Sequence, residues 1–309
     1  MSIEVTTAFV QQYSTNVGLL LQQRGSKLRE AVTMGSYTGK AAKAVEQIGS
    51  VTAQKRTSRH ADTPLISTPH DARWVFPTDY EWADMIDDQD KLRMLIDPTS
   101  PYALNGAYAL GRAVDSDIIS TALGTAKTGE NGTTDTAFDT TNQQIASGSV
   151  GLTVGKLRET KKILLSNEVD VEMDPLYIAV TAKQIDDLLG TTEVTSADYN
   201  TVKALAQGQV DSFMGFKFIR IERLPFTTAL TQFDAASGEV GVGADSIPVG
   251  SKRCFAYAGD AIIGGIGANP TARVSERPDK HYANQVYFSM SLGAMRMEEV
   301  KVIEFFTAQ

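Results

Sequence analysis

Cysteine and long hydrophobic runs are scarce in this sequence. Its 309 residues contain a single cysteine, Cys254, which excludes an internal disulfide framework and any metal site built from several cysteines. No apolar stretch reaches the roughly 18–20 residues that a membrane-spanning helix needs, because the best one, residues 254–268, is interrupted by Asp260 and by glycines. The N-terminus carries Glu4 and no basic segment, so no secretory signal is predicted. We therefore expect a soluble chain without membrane contact, made in a reducing cytoplasm.

Sequence signatures of catalysis are missing as well. A phosphate-binding loop would need Ser or Thr after Gly39-Lys40, but Ala41 follows. The dinucleotide-binding glycine pattern that starts at Gly265 has Pro270 where its third glycine belongs. Metal-ligand spacing is also absent around the three histidines, which are His60, His70 and His281. We therefore predict no catalytic residue, no cofactor and no metal ligand, and we expect no enzymatic activity.

Basic residues are outnumbered, and they are unevenly distributed. The chain has 29 Lys and Arg residues against 37 Asp and Glu residues, a net charge of −8, which argues against a general nucleic-acid-binding protein. Residues 1–60 nevertheless carry eight basic and three acidic side chains, so their net charge is +5 and the rest of the chain carries −13. Six carboxylates follow within residues 79–90. They form either a solvated helix face or a surface that meets the basic segment of another copy.

Residues 24–79, here called the extended loop, contain too few apolar residues for a core of their own. They are rich in Thr, Ser and Gly and include three prolines. Irregular segments much longer than about 15 residues are uncommon in compact domains, so the extended loop is either a disordered linker or a structure that a neighbouring molecule orders. As a two-stranded hairpin it would reach about 80–90 Å, whereas a compact chain of this length has a radius of gyration of about 19 Å. It is therefore long enough to cross onto adjacent copies.

The other segments predict a mixed α+β fold without regular βαβ alternation. Apolar spacing predicts helices over residues 3–22 and 101–123, the second with Ser100 as N-cap and Pro101 at its first position. A mixed amphipathic pattern in WADMIDDQDKLRMLI, residues 82–96, predicts a further helix. Within the extended loop, LREAV and PLIST favour strand and KAAKAVEQI favours a short helix. The remaining predicted elements are a helix in VGKLRETKKILLSN, a strand in IAVT with a short helix after it, and strands in FMGFKFIRI, RCFAYAGDAIIGGIG and VKVIEFF.

The order of these parts resembles that of the major capsid proteins of tailed bacteriophages, which have the HK97-like fold. QQRGSKLREAV is similar to the start of the family's extended E-loop, and WADMIDDQDKLRMLIDPTSPYALNGAYALGRAVDSDII to the start of its peripheral domain with a long spine helix. FMGFKFIRIERLP and RCFAYAGDAI are similar to strands of its axial domain. The resemblance implies these divisions: an N-terminal arm or helix (1–23), the extended loop (24–79), a peripheral domain (80–150), an axial domain (151–268) and a return to the peripheral sheet (269–309).

The resemblance implies a structural protein whose copies form hexamers and pentamers of an icosahedral shell around double-stranded DNA, without sequence-specific DNA binding. It implies a virion component, assembled in the host bacterial cytoplasm together with a portal, with a cement protein as a further candidate partner. We expect a separate scaffolding protein, because no charged helical pro-segment precedes the extended loop. We expect no lysine–asparagine cross-link between subunits, because nothing in the sequence designates a pair.

The extended loop of this family lies over neighbouring subunits, so the resemblance assigns that role to residues 24–79. The candidate interface residues are Arg24, Lys27, Arg29, Lys55, Arg56 and Arg59 in the extended loop, and Asp84, Asp87, Asp88 and Asp90 in the acidic segment. Two alternatives stay open at this point. One is an encapsulin-like nanocompartment shell that encloses an enzyme cargo, and the other is an unrelated enzyme.

Overall fold

The structure is a computed structural model and describes residues 22–37, 42–56, 58–59, 65–86, 99–171, 173–191, 212–226 and 250–308. The helix predicted over residues 3–22 lies outside these ranges except for its last residue. The described helices are α1 (Thr99–Leu123), α2 (Val154–Ser166) and α3 (Ala182–Leu189). The described strands are β1 (Thr33–Ser36), β2 (Ala42–Ile48), β3 (His70–Val75), β4 (Thr78–Ile86), β5 (Ala126–Thr128), β6 (Thr134–Thr136), β7 (Gln144–Ile145), β8 (Leu176–Val180), β9 (Ser212–Phe213), β10 (Phe216–Arg220), β11 (Lys252–Ala258), β12 (Ile262–Arg277), β13 (Ala283–Arg296) and β14 (Val302–Thr307).

Helix α1 is the long spine helix that the sequence predicts. It has 25 residues, which corresponds to about 37 Å, and it starts two residues before the predicted position. Leu110, Val114 and Ile118 are buried along one side, as their four-residue spacing predicts. Ser100 is not the N-cap, because the helical backbone already begins at Thr99. The buried side of α1 packs mainly against β13 and β4.

A four-stranded sheet in the order β1-β12-β13-β4 lies against α1. The helix predicted over residues 82–96 is wrong for residues 82–86, which belong to strand β4 and pair antiparallel with β13. Tyr80 and Trp82 are half-buried, and Trp82 packs beside Gly106 of α1. The alternate residues of β4 lie on the opposite, exposed face. They are Asp79, Glu81, Ala83 and Met85. This two-residue alternation is that of a half-buried strand, and residues 87–96 lie outside the described ranges.

A second four-stranded sheet, in the order β2-β3-β5-β6, contains the hairpin of the extended loop. Strands β2 and β3 pair antiparallel from Ala42 opposite Val75 to Ile48 opposite His70, in agreement with the predicted two-stranded form. KAAKAVEQI therefore supplies a strand and not the predicted short helix, because its residues are held by cross-strand pairing. Strand β1, by contrast, pairs parallel with β12. The first part of the extended loop is thus built into the sheet beside α1.

A six-stranded sheet in the order β7-β14-β11-β8-β10-β9 forms the other layer of the molecule. Strands β8 and β10 run parallel, with α3 between them in the chain, and Ile178, Phe255 and Phe305 are fully buried in this layer. The predicted helix in VGKLRETKKILLSN and the predicted final strand are confirmed as α2 and β14. FMGFKFIRI forms two strands, because the backbone turns at Met214 and Gly215, both with positive φ. RCFAYAGDAIIGGIG is divided between β11 and β12, which belong to different sheets.

Candidate assembly surfaces

The hairpin of the extended loop is joined to the body through Arg73 of β3. The Arg73 guanidinium is buried and donates from Nη1 and Nη2 to the two carboxylate oxygens of Glu299, at 2.8 and 2.9 Å. Its Nε donates to Oε1 of Gln47 on β2 at 2.9 Å, and the Gln47 amide donates to the carbonyl of Met297 at 2.8 Å. Bidentate, charge-assisted bonds of this kind fix orientation as well as distance. The base of the hairpin therefore has a defined direction relative to the body.

Glu299 also lies close to a second guanidinium, that of Arg296 at the end of β13. Arg296 is fully buried, and its Nη1 donates to the carbonyls of Ala122 and Gly124 at the C-terminal end of α1, at 3.1 and 2.7 Å. A cation is favoured there because the last carbonyls of a helix carry partial negative charge. Burial lowers the pKa of Arg296, and Glu299, 3.7 Å from its Nε, opposes that shift. One carboxylate thus links the hairpin, the long sheet and the end of α1.

The start of the extended loop is held on α1 by Asp115. This carboxylate is fully buried and accepts hydrogen bonds from the backbone N–H groups of Lys27 and Leu28, at 3.0 Å each, and from Oγ of Ser26 at 2.5 Å. The side-chain amide of Gln23 also donates to Asp115. These bonds lay residues 23–28 across the helix, so this part of the extended loop does not project from the body.

The structure separates the predicted basic residues into two groups. Arg24, Lys27 and Arg29 are exposed beside α1, where Nζ of Lys27 donates to the carbonyl of Arg220 at 2.9 Å. The second group, Lys55, Arg56 and Arg59, is exposed beyond the paired part of the hairpin. The Arg56 guanidinium donates to the carbonyls of Ser58 and Arg59.

Of the predicted acidic residues, the structure describes one. Asp84 is half-buried on β4, on the face that also carries Tyr80 and Trp82, while Asp87, Asp88 and Asp90 lie outside the described residues. Asp79 and Glu81 belong to the six carboxylates of residues 79–90 but not to the predicted interface residues, and β4 exposes both on its other face. Their alternation with Tyr80 and Trp82 was the available signal, and the assumed helical spacing concealed it.

The hairpin of the extended loop also exposes apolar side chains. Leu65 is 99% exposed, Ile48 68% and Val51 50%, whereas Ala72 and Val75 at the base of the hairpin are buried. Apolar residues collected on one projecting element are typical of a surface that another protein covers. We therefore regard the outer part of the hairpin as the main candidate assembly surface.

The described residues contain no arrangement typical of catalysis or of metal binding. Among them, no group of three or more His, Cys, Asp and Glu residues is placed to hold a metal ion. Burial raises the pKa of the Cys254 thiol to about 12, which makes it a poor nucleophile. Nζ of Lys156 is occupied by four backbone carbonyls, those of Ser147, Val150, Gly151 and Phe306, at 2.8–3.1 Å. No helix in the described part of the chain combines the length and apolarity needed to cross a membrane.

Comparisons with known proteins agree with this picture of an assembling subunit. A family model described as "Phage capsid protein" matches residues 5–306. The fold is similar to the capsid protein of cyanophage P-SCSP1u, with a TM-score of 0.73 at 17% identity, over 99% of this chain and 94% of that one. It is also similar to the capsid protein of cyanophage Pam1, with a TM-score of 0.72 at 13% identity, over 98% and 97% of the two chains. A third solved structure, from Mycobacterium phage Che8, matches with a TM-score of 0.65 at 14% identity, over 96% and 97%.

No curated relative matches the chain by sequence. The family match and the solved structures give no support to the nanocompartment alternative. The similarity of fold extends over nearly the whole length of this chain. The chain therefore belongs to the phage capsid protein family and is a capsid protein with the HK97-like fold.

Proposed function

We propose that this protein is the major capsid subunit of a phage, and that its copies form hexamers and pentamers of an icosahedral shell around double-stranded DNA. The observation that carries the proposal is the hairpin of the extended loop, which is fixed at its base by Arg73 and Glu299 while Leu65 and Ile48 stay exposed further out. A ring of identical subunits needs two unlike, complementary surfaces on each copy. A projecting hairpin and the surface that receives it are such a pair.

The proposed divisions of the chain follow the family resemblance. They are an N-terminal arm or helix over residues 1–23, the extended loop over 24–79, a peripheral domain over 80–150, an axial domain over 151–268 and a return to the peripheral sheet over 269–309. The sheet that contains β4, β12 and β13 is the proposed peripheral layer, and the six-stranded sheet is the proposed axial layer. Strand β1 is the exception in this scheme, because it lies in the extended loop but pairs with β12.

We propose that charge guides the contact between copies. The outer basic group, Lys55, Arg56 and Arg59, would face the acidic segment of a neighbour, which contains Asp84, Asp87, Asp88 and Asp90 and also the exposed Asp79 and Glu81. The inner basic group, Arg24, Lys27 and Arg29, is held beside α1 and would form a second contact surface. Opposite charges of this kind set the register and the rate of association more than its strength.

The overall charge suits a container for DNA. Each phosphate contact raises affinity for DNA steeply, and a net charge of −8 keeps such contacts few, so that packaged DNA can leave. The protein would act as a structural element without enzymatic activity. Its assembly would take place in the host bacterial cytoplasm, with a separate scaffolding protein, a portal and a cement protein as proposed partners.

Size-exclusion chromatography followed by negative-stain electron microscopy of the expressed chain tests this proposal. We expect rings or closed shells, and a stable monomer or dimer under all conditions would contradict the proposal.

Denaturing electrophoresis of the same particles tests the absence of cross-links. A single band at 33.4 kDa is expected, and a ladder of larger bands would show that subunits are covalently joined.

A further inference from the structure

Strand β4 has one side that no described strand covers. It lies at the end of the sheet order β1-β12-β13-β4, and no other described strand pairs with its outer side. Its exposed face carries Asp79, Glu81, Ala83 and Met85 at alternate positions, and Met85 is 48% exposed. An open strand edge offers a row of free N–H and C=O groups to which another strand can pair. Nothing in the described part of the chain fills this edge.

The hairpin of the extended loop contains an exposed segment, residues 50–56, whose sequence can form a strand. Its ladder ends where the N–H of Gly49 donates to the carbonyl of Pro69 at 2.8 Å. Beyond that point, residues 50–56 are all exposed and are assigned to no described strand. Their sequence, SVTAQKR, has no glycine or proline and includes Val51 and Thr52, which favour strand. The segment is therefore suited to pair with a strand of another molecule.

We propose that residues 51–55 of one copy add to the free edge of β4 of a neighbouring copy as an antiparallel strand. In this pairing Val51 lies opposite Met85, Ala53 opposite Ala83, and Lys55 opposite Glu81. The inference rests on the proposed function, because it requires two copies side by side. It adds the receiving strand, the direction and the register of the contact.

The side chains select this register. Val51 and Met85 are both about half exposed in the isolated chain and would cover each other, the two alanines would meet at the centre, and Lys55 would meet a carboxylate. Directly opposite pairs on one face of a sheet interact most strongly. A shift by one residue would move Val51 and Lys55 to the face that carries Tyr80 and Trp82. A shift by two in one direction would place Ala53 against Glu81 and leave Met85 without an apolar partner. In the other direction it would place Lys55 against Ala83 and remove its carboxylate partner.

Charge also selects this edge over the opposite side of the sheet. Strand β1 pairs with residues 263–266 of β12, and no other described strand covers that side of the distal part of β12. That part carries Arg273 and Arg277, which lie on the same face as Glu81 according to the pairings of β13 with both neighbours. The charge of Arg277 is paired with Asp279 at 2.9 Å, so Arg273 is the residue that would repel Lys55. Glu81 is held on this face by a hydrogen bond from the hydroxyl of Tyr287 at 3.2 Å, and Lys55 has no ion-pair partner among the described residues.

A disulfide placed across the predicted pair tests the register directly. The variant with Ala53→Cys and Ala83→Cys is assembled, treated with a mild oxidant and run on a non-reducing denaturing gel. The native Cys254 is fully buried, so it should not form disulfides under these conditions. We expect a ladder of multimers joined from subunit to subunit. The matched control, Gln54→Cys with Ala83→Cys, places the two thiols on opposite faces and should give monomer only.

The outcomes separate this inference from the proposed function. If particles form but the Ala53–Ala83 pair gives no ladder, or the control pair gives an equal one, the strand addition is wrong while shell assembly stands. If the unsubstituted chain forms no particles, the proposed function fails.

A charge exchange covers the case in which the cysteine variant does not assemble. Lys55→Glu should lower the yield of particles about tenfold, because like charges opposite each other destabilise a sheet, and adding Glu81→Lys should restore it. Absence of that restoration would also contradict the inference.

Discussion

At the scale of single residues, Asp115 and Asp117 lie two positions apart on α1 and have opposite surroundings. Asp115 accepts hydrogen bonds from Gln23, Ser26, Lys27 and Leu28. Asp117 is half-buried, and its Oδ2 is buried with no hydrogen-bond donor among the residues that the structure describes. Burial raises the pKa of Asp117 to about 6 from its ordinary value of 3.8. The side chain of Asp115 is thus supplied with hydrogen-bond donors, whereas the buried carboxylate of Asp117 destabilises the fold when it is ionised.

The stability of the chain should therefore depend on pH through Asp117. The raised pKa means that the stabilisation linked to this group is complete below about pH 3.8 and is lost as the pH rises through about 6. Asp117→Asn should raise the free energy of unfolding at pH 7 by up to about 3 kcal/mol and should change it little at pH 4. Urea unfolding at both pH values measures the difference.

Asp115→Asn is the matched control for this experiment. It weakens the acceptor for four donors, so it should lower the free energy of unfolding at pH 7 by about 1.5–3 kcal/mol. An equal effect of Asp117→Asn at pH 4 and pH 7 would contradict the account of its buried carboxylate.

Glu299 is the residue on which the direction of the hairpin depends. Glu299→Gln removes the ion pair with Arg73 and leaves two buried guanidiniums close together, since Arg296 lies nearby. We expect a loss of about 3–5 kcal/mol in the free energy of unfolding. The neighbouring Glu298→Gln changes a side chain that is 44% exposed and lies 3.7 Å from Lys301, so it should cost less than about 1 kcal/mol. Thermal unfolding of both variants compares them, and equal losses would show that Glu299 has no special role.

At the scale of elements, the local sequence pattern predicts helix α1, whereas strand β4 and the attachment of the hairpin depend on contacts between residues far apart in the chain. Helix α1 is recognisable because its apolar residues repeat along one side over 25 residues. Strand β4 was mistaken for a helix, because the alternation of Asp79–Met85 becomes decisive only when β13 pairs with it. The contact of Arg73 with Glu299 joins positions 226 apart in the chain. No local pattern contains such a pair, so the fixation of the hairpin could not be predicted from the sequence.

The crossing of the extended loop over α1 requires a glycine at position 111. A Cβ there would lie 2.6 Å from Cα of Gly25, so Gly111→Ala should displace residues 23–28 and lower the free energy of unfolding by about 1–3 kcal/mol. Gly155→Ala on α2 is the control. Its Cβ would have 3.6 Å to the nearest atom, Oγ1 of Thr153, and the better helix propensity of alanine should stabilise by up to about 1 kcal/mol. Differential scanning calorimetry measures the unfolding of both variants. A Gly111→Ala variant as stable as the unsubstituted chain would contradict the account.

At the scale of the whole molecule, the described residues form a body with buried side chains, and the hairpin of the extended loop, attached to it, leaves apolar side chains exposed. The buried layers around α1 and the six-stranded sheet contain fully buried residues such as Ile118 and Phe305, whereas Leu65 of the hairpin is almost wholly exposed. The sequence already indicated this division through its net charges of +5 and −13. It could not indicate that Arg24 and Lys27 stay with the body while Lys55 extends outward, because that depends on Asp115 of α1.

Shell formation through the extended loop is tested most directly by electron microscopy of the full chain beside a variant with a shortened hairpin. Replacing residues 50–68 by Asn-Gly joins Gly49 to Pro69, which are already hydrogen-bonded, and keeps β2, β3 and the Arg73–Glu299 pair. The variant should unfold at the same temperature as the full chain, since the removed residues that the structure describes are mainly exposed. We predict rings or shells from the full chain and dispersed, folded subunits from the variant. Closed shells from the shortened chain at an undiminished yield would contradict the account.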